Sequence, residues 1–460
     1  MEPIAAIATG STAAAIGIVR VSGEGCFAAC DRVFRPAGGA PLSAQPPRQM
    51  IYGDVLDREG RLIDRGLAVR FPAPHSYTGE DCAEFDCHGS PVVLRELLSA
   101  LFAAGVRQAA AGEFTKRAFL NGRMDLTQAE AVVDLIDAET AGAARNAAAQ
   151  IGGALRARLE TVQDALLDIA SRFYAVVDYP DEDIEDIRPE EIAAALKRSD
   201  EALTSLLDTC QRGKRLKTGI RTAILGRPNA GKSSLLNALA GYDRCLVTDI
   251  PGTTRDTVEE TAVCGGVCLR LIDTAGLRDT DDQVEKLGVE RSRRAAESAA
   301  LALCVVDSSV PPTEEDAAAL RLAAACPHWI LIGSKSDLSD GLVPFADPLP
   351  SGLCPPAAAV SVSAVTGQGL DALERAVAEL FPAGDPREAG SLLTDSRQED
   401  AASRARDAVR RAAESLALGM TPDAVLTDAE EALNALGELT GRTAREDIVS
   451  RIFSRFCVGK

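Results

Sequence analysis

Aromatic residues and positive charge are both scarce in this 460-residue chain. Phe, Trp and Tyr make up 4% of it, and 49 Lys and Arg stand against 68 Asp and Glu, giving a formal net charge of −19. Few aromatics and abundant alanine favour helices packed through small side chains over a β-rich architecture. The negative charge argues against broad electrostatic adhesion to nucleic acid. Any RNA contact is therefore expected to be local, and the segment 442–460, with five basic and two acidic residues, is one positive stretch.

The chain also lacks a long apolar run, a secretory signal and repeated cysteine pairs. No run of about 18 residues, the length that spans a bilayer, is apolar throughout, so we expect no membrane span. The N-terminus has an acid at position 2 and no early basic residue, unlike a secretory signal. The 12 cysteines show no CxxC repeat and no ligand-like Cys/His spacing, which favours reduced thiols in the cytoplasm over disulfides or zinc.

Four segments differ in their sequence pattern, and a chain of this length is expected to form roughly two to four domains. Residues 1–121 mix short β-branched runs with Gly/Pro turns, which predicts a small α+β domain. Residues 122–217 and 381–460 predict one helical domain in two parts, and residues 218–380 between them predict an inserted α/β unit with a mainly parallel sheet. The clearest helix stripe consists of Leu155, Leu159, Val162, Leu166, Ile169, Phe173 and Val176.

The segment "AILGRPNAGKSSLLNAL" predicts a phosphate-binding loop between a strand and a helix. Gly226 and Gly231 let backbone amides curve round the phosphates, while Lys232 would meet the β and γ oxygens. The hydroxyl of Ser233 is suited to bind Mg²⁺, and the helix N-terminus adds its partial positive charge.

Three further motifs follow in the order typical of guanine-nucleotide domains. In "DTAGLR", Asp273 ends an apolar strand where a carboxylate can hold the Mg²⁺ hydration shell, and "VTDIPGTTRD" supplies threonines for a Mg²⁺-sensing switch. In "GSKSD", Asp337 would accept from guanine N1 and N2, contacts that adenine cannot make, and "SVSA" completes the base pocket. The predicted GTP-binding residues are Asn229, Ala230, Gly231, Lys232, Ser233, Ser234, Thr248, Asp249, Ile250, Pro251, Gly252, Thr253, Thr254, Asp273, Thr274, Ala275, Gly276, Ser334, Lys335, Asp337, Ser363 and Ala364.

Two positions depart from the familiar pattern of these motifs. The residue after "DTAG" is Leu277, which cannot orient the attacking water as the glutamine of better-known switches does. The base-reading motif begins with Ser334, where asparagine or threonine is usual. Its hydroxyl keeps part of the hydrogen bonding, so we expect a preference for guanine with weaker affinity.

Together with "RAFLNGRMDLTQAEAVVDLIDA" and the terminal "RIFSRFCVGK", these motifs resemble the tRNA-modification GTPase family MnmE, also called TrmE. The resemblance covers essentially the whole chain. It implies an α+β folate-binding N-terminal domain, a helical domain and an inserted Ras-like P-loop GTPase domain. It also implies that GTP hydrolysis is activated by K⁺ and by pairing across a homodimer, because K⁺ can supply the charge that an arginine finger supplies elsewhere.

The resemblance implies roles for individual residues of the GTPase domain. Glu285 would orient the attacking water, although its composition alone describes a solvated helix residue. Lys232 and Thr254 are the other implied catalytic residues. The implied metal ligands are Ser233 and Thr254 for Mg²⁺, and Asn229, Thr248, Ile250 and Thr253 for K⁺.

The resemblance also implies a reduced folate, 5,10-methylenetetrahydrofolate or a formyl analogue, bound by the N-terminal domain. Cations suit its glutamate tail, and a carboxylate suits its pterin edge. Lysine usually stands at the position of Arg123, and "GSTAAA" at 10–15 replaces a Pro/Gly/Arg-rich loop of the family. Both changes bear on folate affinity. The implied folate contacts are Arg20, Glu84, Arg123 and Lys460.

With an MnmG-like flavoprotein that uses FAD and NADH, such a protein would form a 5-carboxymethylaminomethyl or aminomethyl group on the wobble uridine, U34, of certain tRNAs. Two alternatives stay open: a ribosome or RNA assembly switch without carbon-transfer chemistry, and a folate-deficient relative that retains only GTPase activity. Cys457 is expected to pack or position rather than to act as a nucleophile, since no general base is visible beside it.

Overall fold

The structure is a computed structural model that describes residues 1–10, 12–178, 188–242, 260–272, 293–339, 343–345, 349–382, 388–443, 446–454 and 456–459. By their internal contacts these residues form two compact units. The first unit is Met1–Val133, Gln150–Leu203 and Ala401–Lys460, and the second is Asp134–Ala149 and Thr204–Asp400.

Thirteen strands and fourteen helices are described within those ranges. The strands are β1 (Ile4–Ile7), β2 (Ile16–Ser22), β3 (Phe34–Pro36), β4 (Ile51–Leu56), β5 (Leu62–Phe71), β6 (Cys82–His88), β7 (Arg107–Gln108), β8 (Ile220–Leu225), β9 (Glu260–Cys264), β10 (Val267–Leu271), β11 (Leu301–Asp307), β12 (His328–Ser334) and β13 (Ala358–Ser361). The helices are α1 (Cys26–Val33), α2 (Pro91–Ala103), α3 (Glu113–Leu120), α4 (Leu126–Ile136), α5 (Ala141–Ile151), α6 (Ala154–Asp178), α7 (Pro189–Leu207), α8 (Cys210–Thr218), α9 (Lys232–Tyr242), α10 (Glu314–Ala323), α11 (Leu370–Leu380), α12 (Ser396–Ala417), α13 (Pro422–Thr440) and α14 (Glu446–Phe453).

The N-terminal part of the first unit is a seven-stranded sheet in the order β3-β4-β5-β6-β2-β1-β7. Its pairs are antiparallel except β1 with β7. Because side chains alternate along a strand, Val19 and Val21 of β2 pack with α1 and α2 on one face. On the other face, Ile4 and Ala6 pack against Phe114 of α3, and Arg20, paired in register with Glu84, lies on that same face. The predicted α+β domain is confirmed.

The helical part of the first unit is built on α6, which packs along α13. The predicted stripe from Leu155 to Phe173 is buried along α6, and the side chain of Val176 lies outside the described residues. Helix α13 begins directly after Thr421, and Pro422 occupies its first turn, the position at which proline costs a helix no hydrogen bond.

The second unit contains a six-stranded sheet in the order β13-β12-β11-β8-β10-β9. All pairs are parallel except β9 with β10, so the mainly parallel sheet is confirmed. Both faces are covered: Leu303 and Ile330 face one core cluster, while Cys304 and Leu331 face the other. This explains why these strands are continuously apolar rather than alternating.

The polar segment 211–219, at the predicted boundary between the helical part 122–217 and the inserted unit, is helical over most of its length. It forms α8 and ends at Gly219, whose φ of 73° is readily adopted by glycine. Gly213 packs against the backbone of Leu393, which lies just before α12, since a Cβ on Gly213 would be 2.1 Å from the carbonyl oxygen of Leu393. Among the residues described, no helix is both long and apolar enough to cross a membrane.

Candidate functional site

The loop between β8 and α9 has the backbone that a phosphate-binding loop requires. Gly226, Asn229 and Gly231 have φ values of 148°, 60° and 96°, a region that disfavours most side chains. A Cβ on Gly226 would lie 2.3 Å from the carbonyl oxygen of Val305, so only glycine fits. Ala230 is buried and Asn229 is exposed, as are the predicted residues Ser233 and Ser234 at the start of α9.

Lys232 folds back over this loop at the N-terminus of α9. Its Nζ donates to the carbonyl oxygens of Gly226 and Arg227, at 2.7 Å each. Burial lowers the pKa of Lys232 below its ordinary value, because a low-dielectric surrounding disfavours the charged form. An ammonium group so placed beside a helix N-terminus can attract an anionic ligand.

An ion pair that the sequence analysis missed links the phosphate-binding loop to α10. Arg227 Nε lies 3.1 Å from Asp316 Oδ1, and the Asp316 side chain is fully buried. The other oxygen, Oδ2, accepts from the Thr313 backbone N–H at 2.9 Å and from its hydroxyl at 2.8 Å. Thr313 and Asp316 form a capping box at the start of α10. The Thr-x-x-Asp spacing was the available signal for the cap, but nothing in the sequence indicated its partner on the phosphate loop.

The predicted base-reading segment meets the phosphate loop at Ser334. The Ser334 hydroxyl donates its one proton to the carbonyl oxygen of Ala230, and the carbonyl oxygen of Val306 lies 3.2 Å from the same hydroxyl oxygen. Asp337 is exposed in the short 3-10 turn that follows β12. Ser363 is buried just beyond β13, with Ala364 next to it. The structure therefore brings the loop at 226–231 and the predicted base-reading segment together at one edge of the sheet.

Asp307, at the end of β11, is a second residue that the sequence analysis missed. Its Oδ2 accepts from Lys335 Nζ at 2.6 Å, and its Oδ1 accepts from the backbone N–H and hydroxyl of Ser309 at 2.9 and 2.6 Å. Burial raises the pKa of Asp307, but the hydrogen bonds from Lys335 and Ser309 outweigh it and hold that pKa below its ordinary value. The signal was an aspartate at the end of an apolar strand, where the loops of a parallel sheet gather.

Part of the predicted site lies outside the described residues. Two such segments carry the switch motifs: one lies between α9 and β9, and the other follows β10. The last residue of the chain is also outside the described residues. The residues concerned are Thr248, Asp249, Ile250, Pro251, Gly252, Thr253, Thr254, Asp273, Thr274, Ala275, Gly276, Leu277, Glu285 and Lys460.

In the N-terminal sheet, two of the predicted folate contacts bind each other. Arg20 Nε lies 2.7 Å from Glu84 Oε1, and both side chains are about one-fifth exposed, at 18% and 22%. The Arg20 guanidinium carbon is 5.1 Å from the Tyr77 ring centroid and 5.7 Å from that of Phe114, within range of a cation–π interaction. This arrangement fixes the direction of both charges on the face that α3 covers.

A buried arginine on α3, Arg117, was also missed. Arg117, 3% exposed, donates to Glu80 Oε2 at 3.0 Å, to Glu113 Oε1 at 2.9 Å and to the Glu2 carbonyl at 2.9 Å. Burial raises the pKa of Glu113, yet hydrogen bonds from Arg107, the Ala110 backbone and Arg117 lower it to about 2. The spacing of Glu113 and Arg117, one helical turn apart, was a usable signal for the pair but not for its burial.

The C-terminal segment returns to the N-terminal domain. Val458 forms a β-bridge with Ala111, and a Cβ on Gly459 would lie 2.1 Å from the carbonyl oxygen of Ile7. Cys457 is exposed, and its carbonyl accepts from the Gly112 N–H at 3.3 Å. Arg123 is exposed and packs near the loop that contains Gly79, whose Cβ would lie 3.2 Å from Arg123 Cγ.

Comparison with known families matches nearly all of the chain. The profile described as "GTP-binding protein TrmE N-terminus" matches residues 3–123, and the one described as "MnmE helical domain" matches residues 126–457. The chain belongs to the MnmE (TrmE) family of tRNA modification GTPases. It is therefore a GTP-hydrolysing enzyme, and the predicted three-part fold class of the MnmE family is confirmed.

Individual MnmE proteins are similar over their full length. The "tRNA modification GTPase MnmE" of Roseiflexus sp. (strain RS-1) is 45% identical, covering 100% of this chain and 99% of that protein. The protein of the same name from Symbiobacterium thermophilum is 43% identical, again covering 100% and 99%. Among solved structures, a GTP-binding protein from Sulfolobus solfataricus in complex with GDP covers 48% of this chain and 66% of its own, at 16% identity and a TM-score of 0.27. A TM-score this low supports no conclusion about the site.

Proposed function

We propose that this chain is a K⁺-stimulated, Mg²⁺-dependent GTPase that acts on tRNA as a cytoplasmic homodimer. With an MnmG-like partner that uses FAD and NADH, it forms the 5-carboxymethylaminomethyl or aminomethyl group on wobble uridine U34. The observation that carries the proposal is the full-length similarity to MnmE proteins, since it includes the N-terminal and helical parts as well as the GTPase domain.

The nucleotide would bind along the sheet edge at the ends of β8, β12 and β13. The exposed start of α9 and the Lys232 ammonium support phosphate binding there, with the Ser233 hydroxyl on Mg²⁺. Asp337, exposed beyond β12, would accept from guanine N1 and N2. Residues 218–380 remain the proposed extent of this domain.

Hydrolysis would depend on K⁺ because this cation can supply the charge that an arginine finger supplies elsewhere, while Leu277 leaves the attacking water to be oriented by another residue. Asn229 is exposed on the phosphate loop in a left-handed backbone conformation, which suits an amide oxygen offered to a cation. The other proposed K⁺ ligands are Thr248, Ile250 and Thr253. Thr254 would bind Mg²⁺, and Glu285 would orient the water.

A reduced folate would bind the N-terminal domain at the face that carries Arg20 and Glu84. Their ion pair supports this assignment, because it holds the Glu84 carboxylate in a fixed direction against a guanidinium that itself lies over the ring of Tyr77, and a pterin offers adjacent donors to a carboxylate. Arg123 and Lys460 are the other proposed contacts.

Mass spectrometry of tRNA nucleosides from a deletion strain tests the function. Wild-type protein should restore the modified wobble uridine, and Lys232→Ala should not. Glu84→Gln should retain GTP hydrolysis and lose the modification, whereas Glu59→Gln, at an exposed turn of the same sheet, should restore it. Normal wobble uridine in the deletion strain, with ribosomal subunits accumulating, would instead support the assembly switch. Full modification with Glu84→Gln would remove the folate assignment.

A further inference from the structure

The ion pair between Asp307 and Lys335 joins the ends of two adjacent strands. Asp307 is the last residue of β11 and lies in register with Ser334, the last residue of β12. Lys335 follows at once with a left-handed φ of 55°, which turns its side chain back towards β11. Its Nζ lies 2.6 Å from Asp307 Oδ2, a short charge-assisted hydrogen bond.

The two partners differ in how firmly they are held. The Asp307 side chain is 6% exposed, and Ser309 anchors its second oxygen through two hydrogen bonds. The Lys335 side chain is 36% exposed and would sample many rotamers in water without a fixed partner. The carboxylate is therefore the rigid member, and it orders the lysine.

This ordering matters for the turn that follows. Lys335 directly precedes the turn Ser336–Leu338, which carries Asp337. A lysine held at its backbone and at its ammonium presents its methylene stem as a fixed apolar strip, a surface on which a planar base can pack. Because the stem is ordered before a ligand arrives, binding does not have to order it.

We propose that Asp307 is a positioning residue for guanine nucleotides, holding Lys335 across the face of the base site. The proposal rests on the proposed assignment of Asp337 as the guanine-reading residue. Asp307 touches no nucleotide in this role and acts through Lys335. It should therefore change nucleotide affinity and KM but leave kcat at saturating GTP unchanged.

The test measures GDP affinity of the full-length protein with a fluorescent GDP analogue, together with the KM and kcat of GTP hydrolysis. Asp307→Asn keeps the shape and the Ser309 hydrogen bonds while removing the charge. We expect it to weaken GDP binding about tenfold, the equivalent of one modest charge-assisted hydrogen bond, with kcat within about twofold. Asp371→Asn is the matched control, because it removes an exposed aspartate paired with Arg375 on α11 and should change neither quantity.

A double-mutant cycle separates positioning from a structural role. Lys335→Met should weaken GDP binding in the wild-type background and add little in the Asp307→Asn background, because the two residues act as one device. Fluorescence of Trp329, which is buried on β12, verifies the folding of each variant. If one of the single variants unfolds because it leaves a charge unpaired, the double variant, which has neither charge, can still be measured. Wild-type GDP affinity in Asp307→Asn, or equal effects of Lys335→Met in both backgrounds, would overturn the proposal.

The guanine assignment is tested separately with Asp337→Asn. An amide can donate to the C2 carbonyl of xanthine but cannot accept two hydrogen bonds from guanine, so this variant should lose GDP and gain xanthosine diphosphate. If Asp337→Asn behaves so and Asp307→Asn does not, only the positioning role is refuted. If Asp337→Asn leaves GDP binding unchanged, the assignment of Asp337 as the guanine-reading residue is wrong, and the proposed role of Asp307 is refuted as well.

Discussion

Replacing Arg227 by methionine tests how the phosphate loop is anchored. In the structure its Nε lies 3.1 Å from Asp316 Oδ1, the arginine side chain is 20% exposed and the aspartate is fully buried. Methionine keeps much of the apolar stem but removes the charge. The Asp316 carboxylate then stays buried, with hydrogen bonds from Thr313 to only one of its two oxygens.

The expected cost follows from that geometry. Removing one partner of a buried ion pair costs about 3–5 kcal/mol, because the other charge is left uncompensated. Thr313 still donates to Asp316, and Arg227 is partly exposed, so we expect about 2–3 kcal/mol for Arg227→Met. For a unit of this size, that corresponds to a fall in Tm of roughly 5–10 °C.

The chain offers a convenient probe and a matched control. Trp329, its one tryptophan, is buried on β12 of the same unit, so urea unfolding followed by tryptophan fluorescence reports this unit. Arg321→Met removes an exposed arginine that pairs with Glu314 at 2.9 Å on α10, and such surface pairs contribute about 1 kcal/mol or less. Equal midpoint shifts for Arg227→Met and Arg321→Met would refute the idea that the buried pair anchors the loop.

Three other perturbations have defined outcomes. Gly226→Ala should destabilise the same unit by about 2 kcal/mol or more in the urea assay, since its Cβ would lie 2.3 Å from the Val305 carbonyl oxygen. Gly241→Ala is the control and should not destabilise the unit in this assay, because nothing lies within 4 Å of its Cβ. Potassium in place of sodium should raise GTP turnover several-fold, and Asn229→Ala should abolish that difference; equal wild-type rates in both salts would discard the K⁺ role. The pKa of Glu113, about 2 against an ordinary 4.5, means that this carboxylate stabilises the fold fully above pH 4.5 and loses that contribution, up to about 3 kcal/mol, as pH falls from 4.5 towards 2. The hydrogen-exchange rates of residues 107–120, corrected for intrinsic rates, should rise as the pH falls, and Glu113→Gln should make this rise smaller. The same dependence of these rates on pH in Glu113→Gln and in the wild type would contradict the low pKa.

The pattern of apolar residues predicted the layers of the fold because it is a local signal. The α6 stripe and the continuous strands β11 and β12 follow directly from the spacing and run length of their side chains. The antiparallel strand β9 was not predicted, although Gly265 and Gly266 between two alternating runs give a usable hairpin signal. The end of the helix within 211–219 could not be placed from the sequence, because this polar segment contains Gly213 and Gly219 and could equally be a linker.

The candidate site also contains some residues that could be predicted from the sequence and others that could not. The phosphate loop could be placed from sequence because its glycines and Lys232 are contiguous and each has a backbone or charge requirement. Asp307, Asp316 and Arg117 could not, because their importance depends on partners 28, 89 and 37 residues away. Spacing within one element predicts which face a residue lies on, but only the strand order and register decide which distant residue it meets.

The strand ends at this edge are tied to one another, which bears on the unusual serine of the base-reading motif. The backbone N–H of Ser308 donates to the Ser334 carbonyl at 3.0 Å, and that of Val362 donates to the Gly333 carbonyl at 2.8 Å. The Ser334 hydroxyl adds the link to the phosphate loop through the Ala230 carbonyl. A hydroxyl is long enough for that structural link, but it is shorter than an asparagine amide and its one proton is already donated. We therefore expect base discrimination to depend on Asp337 and on a well-ordered Lys335 rather than on Ser334.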